Sequence, residues 1–274
     1  MQVRFHAGSL ACCKDYGCEF RHAKRHATKC LRFEEASATQ CRMNDFPFSA
    51  VGFDLDGTLL DTHQDLGAAV NHALELGGFN PVALDSSKDL IGGGAKMMLS
   101  KAVDDQGGLD REAFHALYKK MLSYYSQHNA VHSHPYPGVV ETLDELAARG
   151  VKIAVVTNKF ESFAADILTQ LGLADRFVTI IGGDTMGKGP DGRQRAKPAP
   201  DPIIEARKRC ANNPEKPGPF AFVGDSSYDV NAAKAAGVPV VACAYGYCDK
   251  APHELGADAV VQSANELIAA LGAL

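Results

Sequence analysis

The sequence predicts an α/β fold: a doubly wound parallel sheet carrying an inserted all-helical cap domain. Three observations predict it. Six short apolar runs without polar alternation recur between residues 48 and 261, as expected of parallel strands covered on both faces. Stretches of helical spacing that close on glycine lie between them. Residues 62–136 break this rhythm with helical sequence alone.

The first run is FSAVGFDL, from residue 48. The others are VKIAVVT (151–157), FVTIIGG (177–183), PFAFVGD (219–225), VPVVACA (238–244) and ADAVV (257–261). VVETLDELAARG (139–150) has apolar residues at helical spacing and ends on Gly150. ESFAADILTQLG ends on Gly172 and SYDVNAAKAAG on Gly237, and glycine is the common residue just past a helix end. Strands alternating with helices of this length wind into an open parallel, Rossmann-like sheet.

Residues 62–136 read as three helical stretches: HQDLGAAVNHALELGG, SKDLIGGGAKMMLSKAVDD and REAFHALYKKMLSYYSQH. The segment is too long for a loop and is expected to be a cap domain. The chain returns through HSHPYPG (132–138), whose prolines and glycine suit a hinge. An insertion after the first strand would overhang the crevice where open α/β sheets bind ligands. The expected core is therefore residues 46–61 with 137–274.

The chain has 274 residues, 46% hydrophobic and 22% charged, an ordinary composition for a globular protein. A net charge of −5 offers no electrostatic case for nucleic acid or an anionic membrane as partner. The longest apolar runs are too short to span a bilayer, and the N-terminus shows no apolar region before a small-residue cleavage site. The expectation is a cytoplasmic protein, monomer or homodimer, whose partner is a small molecule.

Residues 1–45 stand apart. They carry a net charge of +3 against −8 for the remainder, and five of the eight cysteines. They show no apolar periodicity and are expected to be an N-terminal extension, either disordered or translated from upstream of a true start at Met43. A competing reading is a zinc site of Cys13, Cys18, His22 and His26. Against it, only three residues separate Cys18 from His22, far fewer than a zinc finger places between its ligand pairs. Cys210, Cys243 and Cys248 read as small buried hydrophobes.

The chemistry is written at the strand ends. FDLDGTLLDT (53–62) closes the first strand with Asp54 and Asp56, which alternation places on one side. Unpaired carboxylates there are costly, and a hard cation with oxygen ligands, such as Mg²⁺, relieves the cost. The fourth strand ends at Asp225, with Asp229 four residues on. The second ends at Thr157 and Asn158, and AKPAPDP after the third offers Lys197. In a parallel sheet these ends share one edge. Taken singly, Thr157 would satisfy a strand end, Lys197 would be a solvated side chain and Asp229 would brace a helix start. Together, acids, a metal and anion ligands suit a phosphate ester. Asp54 is expected to be the nucleophile and Asp56 the acid and base. Lys197 would offset developing charge, with Thr157, Thr58 and the backbone N–H of Asn158 gripping phosphoryl oxygens.

DLDGT, Thr157, Lys197 in KPAPDP and GDSSYD, in this order, resemble the four motifs of the haloacid dehalogenase superfamily. The resemblance covers roughly residues 48–272. It implies the same roles for Asp54 and Asp56. It further implies that Mg²⁺ binds the Asp54 carboxylate, the Asp56 backbone carbonyl and Asp225, with Asp229 as a supporting acid. The helical insert is similar to the family's C1 cap. LLDTHQDL, IGGGAKMML and PYPGVVETLDEL resemble the phosphoglycolate phosphatase group, which implies hydrolysis of 2-phosphoglycolate through an aspartyl-phosphate. GKGPDGRQRAKPAP is longer than usual there and is expected to border the site.

Other readings stay beside this one: another sugar-phosphate phosphatase, a phosphomutase, or a binding protein that keeps the fold without catalysis. A dehalogenase would lack the second acid, which Asp56 supplies. Gly92, Gly93 and Gly94 read equally as a turn or as a substrate wrap from the cap. His132 and His134 read as exposed hinge residues, and Tyr124 and Tyr125 as cap packing.

Overall fold

The computed structural model describes residues 46–83 and 94–274. The zinc reading at Cys13, Cys18, His22 and His26 lies outside the described residues, as do Gly92 and Gly93.

Strands β1 (Ala50–Phe53), β4 (Lys152–Val156), β5 (Thr179–Ile181), β6 (Phe220–Gly224), β7 (Val240–Cys243) and β8 (Ala259–Val261) form one six-stranded sheet. Its order is β5-β4-β1-β6-β7-β8, and every pairing is parallel. The chain winds outward from β1 to β5, then returns to the other side of β1 for β6 to β8. The winding reverses at β1, and a crevice for ligands opens at the carboxyl ends on either side of such a point.

The unalternating runs are explained by two cores. Val51, Phe53, Val155, Val223 and Val241 point into one buried cluster. Their neighbours Ala50, Ala154, Val156, Phe222 and Val240 point into the other. Helices α4 (Val139–Ala148), α5 (Glu161–Gln170) and α8 (Leu267–Gly272) cover the first face. Helices α6 (Asp201–Cys210) and α7 (Ser227–Ala235) cover the second.

Between β1 and α4 lie α1 (His63–Leu76), α2 (Ala95–Asp104) and α3 (Arg111–Tyr125). They enclose their own cluster, with Leu66, Val70, Met98, Leu99, Leu117 and Met121 buried. Asp110 opens α3 by accepting the N–H groups of Glu112 and Ala113 at 2.9 Å each. The two ends of this helical segment meet in a small antiparallel ribbon, β2 (Leu60–Asp61) against β3 (His134–Pro135). Buried Asp65 clasps the returning loop. Its carboxylate accepts the N–H of His132 at 3.0 Å, and the N–H and hydroxyl of Ser133 at 2.9 and 2.7 Å. His132 and His134 themselves are exposed. No helix among the described residues is long and apolar enough to cross a membrane.

Candidate active site

The sequence places Asp54 immediately after β1, where its N–H still donates to Val223 O at 2.9 Å. The loop that follows folds back on itself: Gly57 N–H donates to Leu60 O and Leu60 N–H to Leu55 O, both at 2.9 Å. Gly57 has φ of +84°, and a side chain there would collide with the Asp225 carboxylate. Asp225 follows β6, so neighbouring strands deliver Asp54 and Asp225 to one spot. Oxygens of Asp54, Asp225 and Asp229 all lie within 4.8 Å of one another.

Lys197 reaches this cluster from the segment before α6. Its ammonium is 2.8 Å from Asp54 Oδ1 and 2.6 Å from Asp229 Oδ1. Asp229 also accepts the N–H and hydroxyl of Ser226 at 3.0 and 2.6 Å. It therefore starts helix α7 with one oxygen and holds the lysine with the other. Burial alone would lower the Lys197 pKa, but Asp229 and Asp54 outweigh it and keep the ammonium charged. Burial pushes the Asp54 carboxyl up to about 7, with Lys197 opposing and Asp229 adding. Asp225 is likewise raised well above its ordinary value, first by burial and then by Asp229 and Asp54.

Asp54, Asp56, Thr157, Asn158, Lys197 and Asp225 line one cleft with a cavity volume of about 160 Å³. Residues from the helical segment close it from above, among them Gly94, Tyr118 and Tyr125. Such a space suits a small ligand. Thr58 does not line the cleft; it is fully buried behind the cluster, its hydroxyl donating to Asp225 Oδ1 at 3.2 Å. Tyr125 packs within the helical segment and also faces the cleft, whereas Tyr124 stacks between His72 and His128. In GKGPDGRQRAKPAP, Lys197 lines the cleft and residues 187–196 do not. They turn back on themselves, Gly189 N–H donating to Arg193 O at 2.8 Å, so the expected border is absent.

Lys159 and Tyr247, which line the cleft, and Thr62, which does not, escaped the sequence reading. Lys159 pairs with Asp56 at 2.6 Å, and its ammonium lies 5.0 Å from the centre of the Tyr125 ring. Thr62 hydroxyl donates to the same Asp56 oxygen at 2.6 Å. Tyr247, after β7, donates its N–H to Asp225 Oδ2 at 2.7 Å. Lys159 directly follows Thr157 and Asn158, but its partner is distant in sequence. The YGY of residues 245–247 was the available sign of Tyr247.

The cluster fits a divalent cation. Asp54 Oδ1 is buried with only the Lys197 ammonium against it at 2.8 Å, and three carboxylates there face that one ammonium. Uncompensated buried charge of this kind calls for a cation or a proton. The Asp56 carboxylate is held aside by Lys159 and Thr62, outside that group.

Residues 51–243 match the family described as haloacid dehalogenase-like hydrolase. The chain belongs to the haloacid dehalogenase-like hydrolases. Among curated relatives it is 35% identical over 232 residues to the phosphoglycolate phosphatase of Agrobacterium fabrum, covering 84% of this chain and 95% of that one. It is 37% identical over 227 residues to the phosphoglycolate phosphatase of Chromobacterium violaceum, covering 82% and 97%. Its fold resembles the crystal structure of a predicted phosphoglycolate phosphatase from Haemophilus somnus 129PT. The TM-score is 0.70 at 29% identity, over 81% of this chain and 97% of that one.

Proposed function

We propose that this haloacid dehalogenase-like hydrolase is a Mg²⁺-dependent phosphatase for a small phosphate monoester, with 2-phosphoglycolate as its substrate and glycolate and phosphate as products. The observation that supports the reading best is the convergence of Asp54, Lys197 and Asp225 from separate strand ends into one small cleft. The names of the two curated relatives supply the substrate.

In this reading the Asp54 and Asp225 carboxylates and the Asp56 main-chain carbonyl hold Mg²⁺, which offsets the charge of the phosphoryl oxygens when bound. Asp54 attacks phosphorus, and the ester P–O bond breaks. Asp56 gives its proton to the departing alkoxide. Asp56 then takes a proton from water as that water attacks the aspartyl-phosphate. The bond from phosphorus to Asp54 breaks, and phosphate leaves with Asp54 restored. Lys197 opposes the effect of burial on Asp54 and favours its ionised form, and it faces the transferring group with fixed positive charge. Thr157 and the Asn158 N–H orient the phosphoryl oxygens. The helical segment over the cleft excludes water.

The test is phosphate release by purified protein across a panel of phosphate esters, with Mg²⁺ and with chelator. A wide lead for 2-phosphoglycolate that chelator abolishes upholds the proposal. A Mg²⁺-dependent lead for another ester keeps the chemistry and overturns the substrate. No hydrolysis of any ester overturns both.

A further inference from the structure

Tyr247 touches both halves of the site at once. At its main chain, the N–H donates to Asp225 Oδ2 at 2.7 Å. At its far end, the hydroxyl accepts the N–H of Thr62 at 2.6 Å and donates to Asp61 Oδ1 at 3.0 Å. Thr62 is fully buried and is the residue from which helix α1 starts. Its own hydroxyl donates to Asp56 Oδ1 at 2.6 Å. An unbroken chain of short hydrogen bonds thus runs from Asp225 through Tyr247 and Thr62 to Asp56. The ring between its ends packs against the cluster inside the helical segment.

The approach is built into the backbone. A side chain on Gly246 would collide with Gly57 O and with the Asp225 carboxylate, and one on Gly57 would strike the Tyr247 ring as well. Two glycines therefore let the loop after β7 close on the loop after β1. The phenol is buried enough that its pKa lies far above the ordinary value, so it stays a neutral group that accepts one bond while donating another.

We propose that Tyr247 is a positioning residue that ties the Asp225 carboxylate to Asp56 through Thr62. It fixes the Asp56 carboxyl through Oδ1, which accepts from both Thr62 and Lys159, and leaves Oδ2 to carry the proton that the leaving group takes. The inference rests on the proposed reading of Asp56 as proton donor. Tyr247 touches Asp56 only through Thr62, so its effect appears in the step that needs the proton.

Tyr247→Phe removes the hydroxyl and keeps the ring and the N–H to Asp225. It is compared with wild type and Asp56→Asn on two substrates. One is the alkyl phosphate turned over fastest, 2-phosphoglycolate on the proposed reading. The other is p-nitrophenyl phosphate, whose leaving group departs without a proton. For Tyr247→Phe, kcat/KM on the alkyl ester, which reports only the half-reaction that expels the leaving group, should fall about tenfold or more, while kcat/KM on p-nitrophenyl phosphate falls less than about threefold. The Mg²⁺ midpoint in a thermal-shift titration should stay within about twofold of wild type, because the main-chain bond to Asp225 remains. Equal losses on both esters, no loss on either, or a large shift of that midpoint would overturn the proposal. If Asp56→Asn shows the leaving-group signature and Tyr247→Phe does not, the positioning role alone fails. If Asp56→Asn also lacks it, the reading of Asp56 fails and takes the inference with it. Should Tyr247→Phe not fold, Thr62→Val reads the same chain, since it keeps the N–H to Tyr247 and loses the hydroxyl that reaches Asp56 at 2.6 Å and Tyr247 at 3.4 Å.

Discussion

Lys159 Nζ stands 2.6 Å from Asp56 Oδ1, joining the end of β4 to the loop after β1. The two side chains are only 5% and 16% exposed. Breaking a buried pair from one side leaves the other charge without compensation. Lys159→Met should therefore lower stability by about 3 kcal/mol in urea unfolding at neutral pH. Adding Asp56→Asn to that variant should recover part of the loss. If the double variant is as unstable as the two single losses combined, the pair carries no coupling.

Metal binding should strengthen as pH rises. Burial lifts the Asp54 pKa from 3.8 to about 7, so the folded state holds this proton more tightly than the unfolded chain. The stability this group contributes is full below 3.8 and is lost as pH rises through about 7. On the proposed reading Mg²⁺ binds the deprotonated carboxylates and so competes with that proton. The rise in Tm on adding saturating Mg²⁺ should then be larger at about pH 8 than at about pH 5. Equal rises at both would mean that these carboxylates do not hold the ion.

Asp65 anchors the returning chain, and its loss should loosen that chain locally. Asp65→Ala strands the N–H groups of His132 and Ser133, which both donate to this carboxylate. A cost of about 3 kcal/mol is expected, with amide exchange at His132 and Ser133 faster by about a hundredfold. Unchanged protection at these two amides would remove Asp65 from this role.

Gly246→Ala should disturb the carboxylate cluster while sparing the sheet. The added methyl meets the Asp225 carboxylate and Gly57 O, so Asp225 must shift. A loss of Mg²⁺ affinity of about tenfold is expected by calorimetric titration. Wild-type affinity would show that Asp225 is not critical to the ion.

The central strands β1, β4, β6 and β7 were legible because they are buried on both faces, which makes an apolar run visible without any partner. Their order across the sheet was not, since Val51 pairs with both Ile153 and Ala221 and nothing local distinguishes those neighbours. Helix α6 was missed because three prolines precede or open it and Arg207, Lys208 and Arg209 crowd its end. The ribbon of β2 and β3 is too short to show any period. In the cleft, acids at strand ends stood out against their surroundings. Lys159 and Tyr247 did not, because a lysine or a tyrosine in a loop is unremarkable until its partner arrives from elsewhere in the fold.

The ribbon has a consequence for how such a protein can change. Leu60 faces Pro135 and Asp61 faces His134, so the helical segment leaves and rejoins the rest of the fold at a single socket. A segment of different length or shape could be spliced across the same two points without moving Asp54, Lys197 or Asp225. On the proposed reading, the residues that carry the chemistry and the helical segment that covers them can therefore diverge at separate rates, and grafting a relative's segment between residues 61 and 134 should shift the substrate preference.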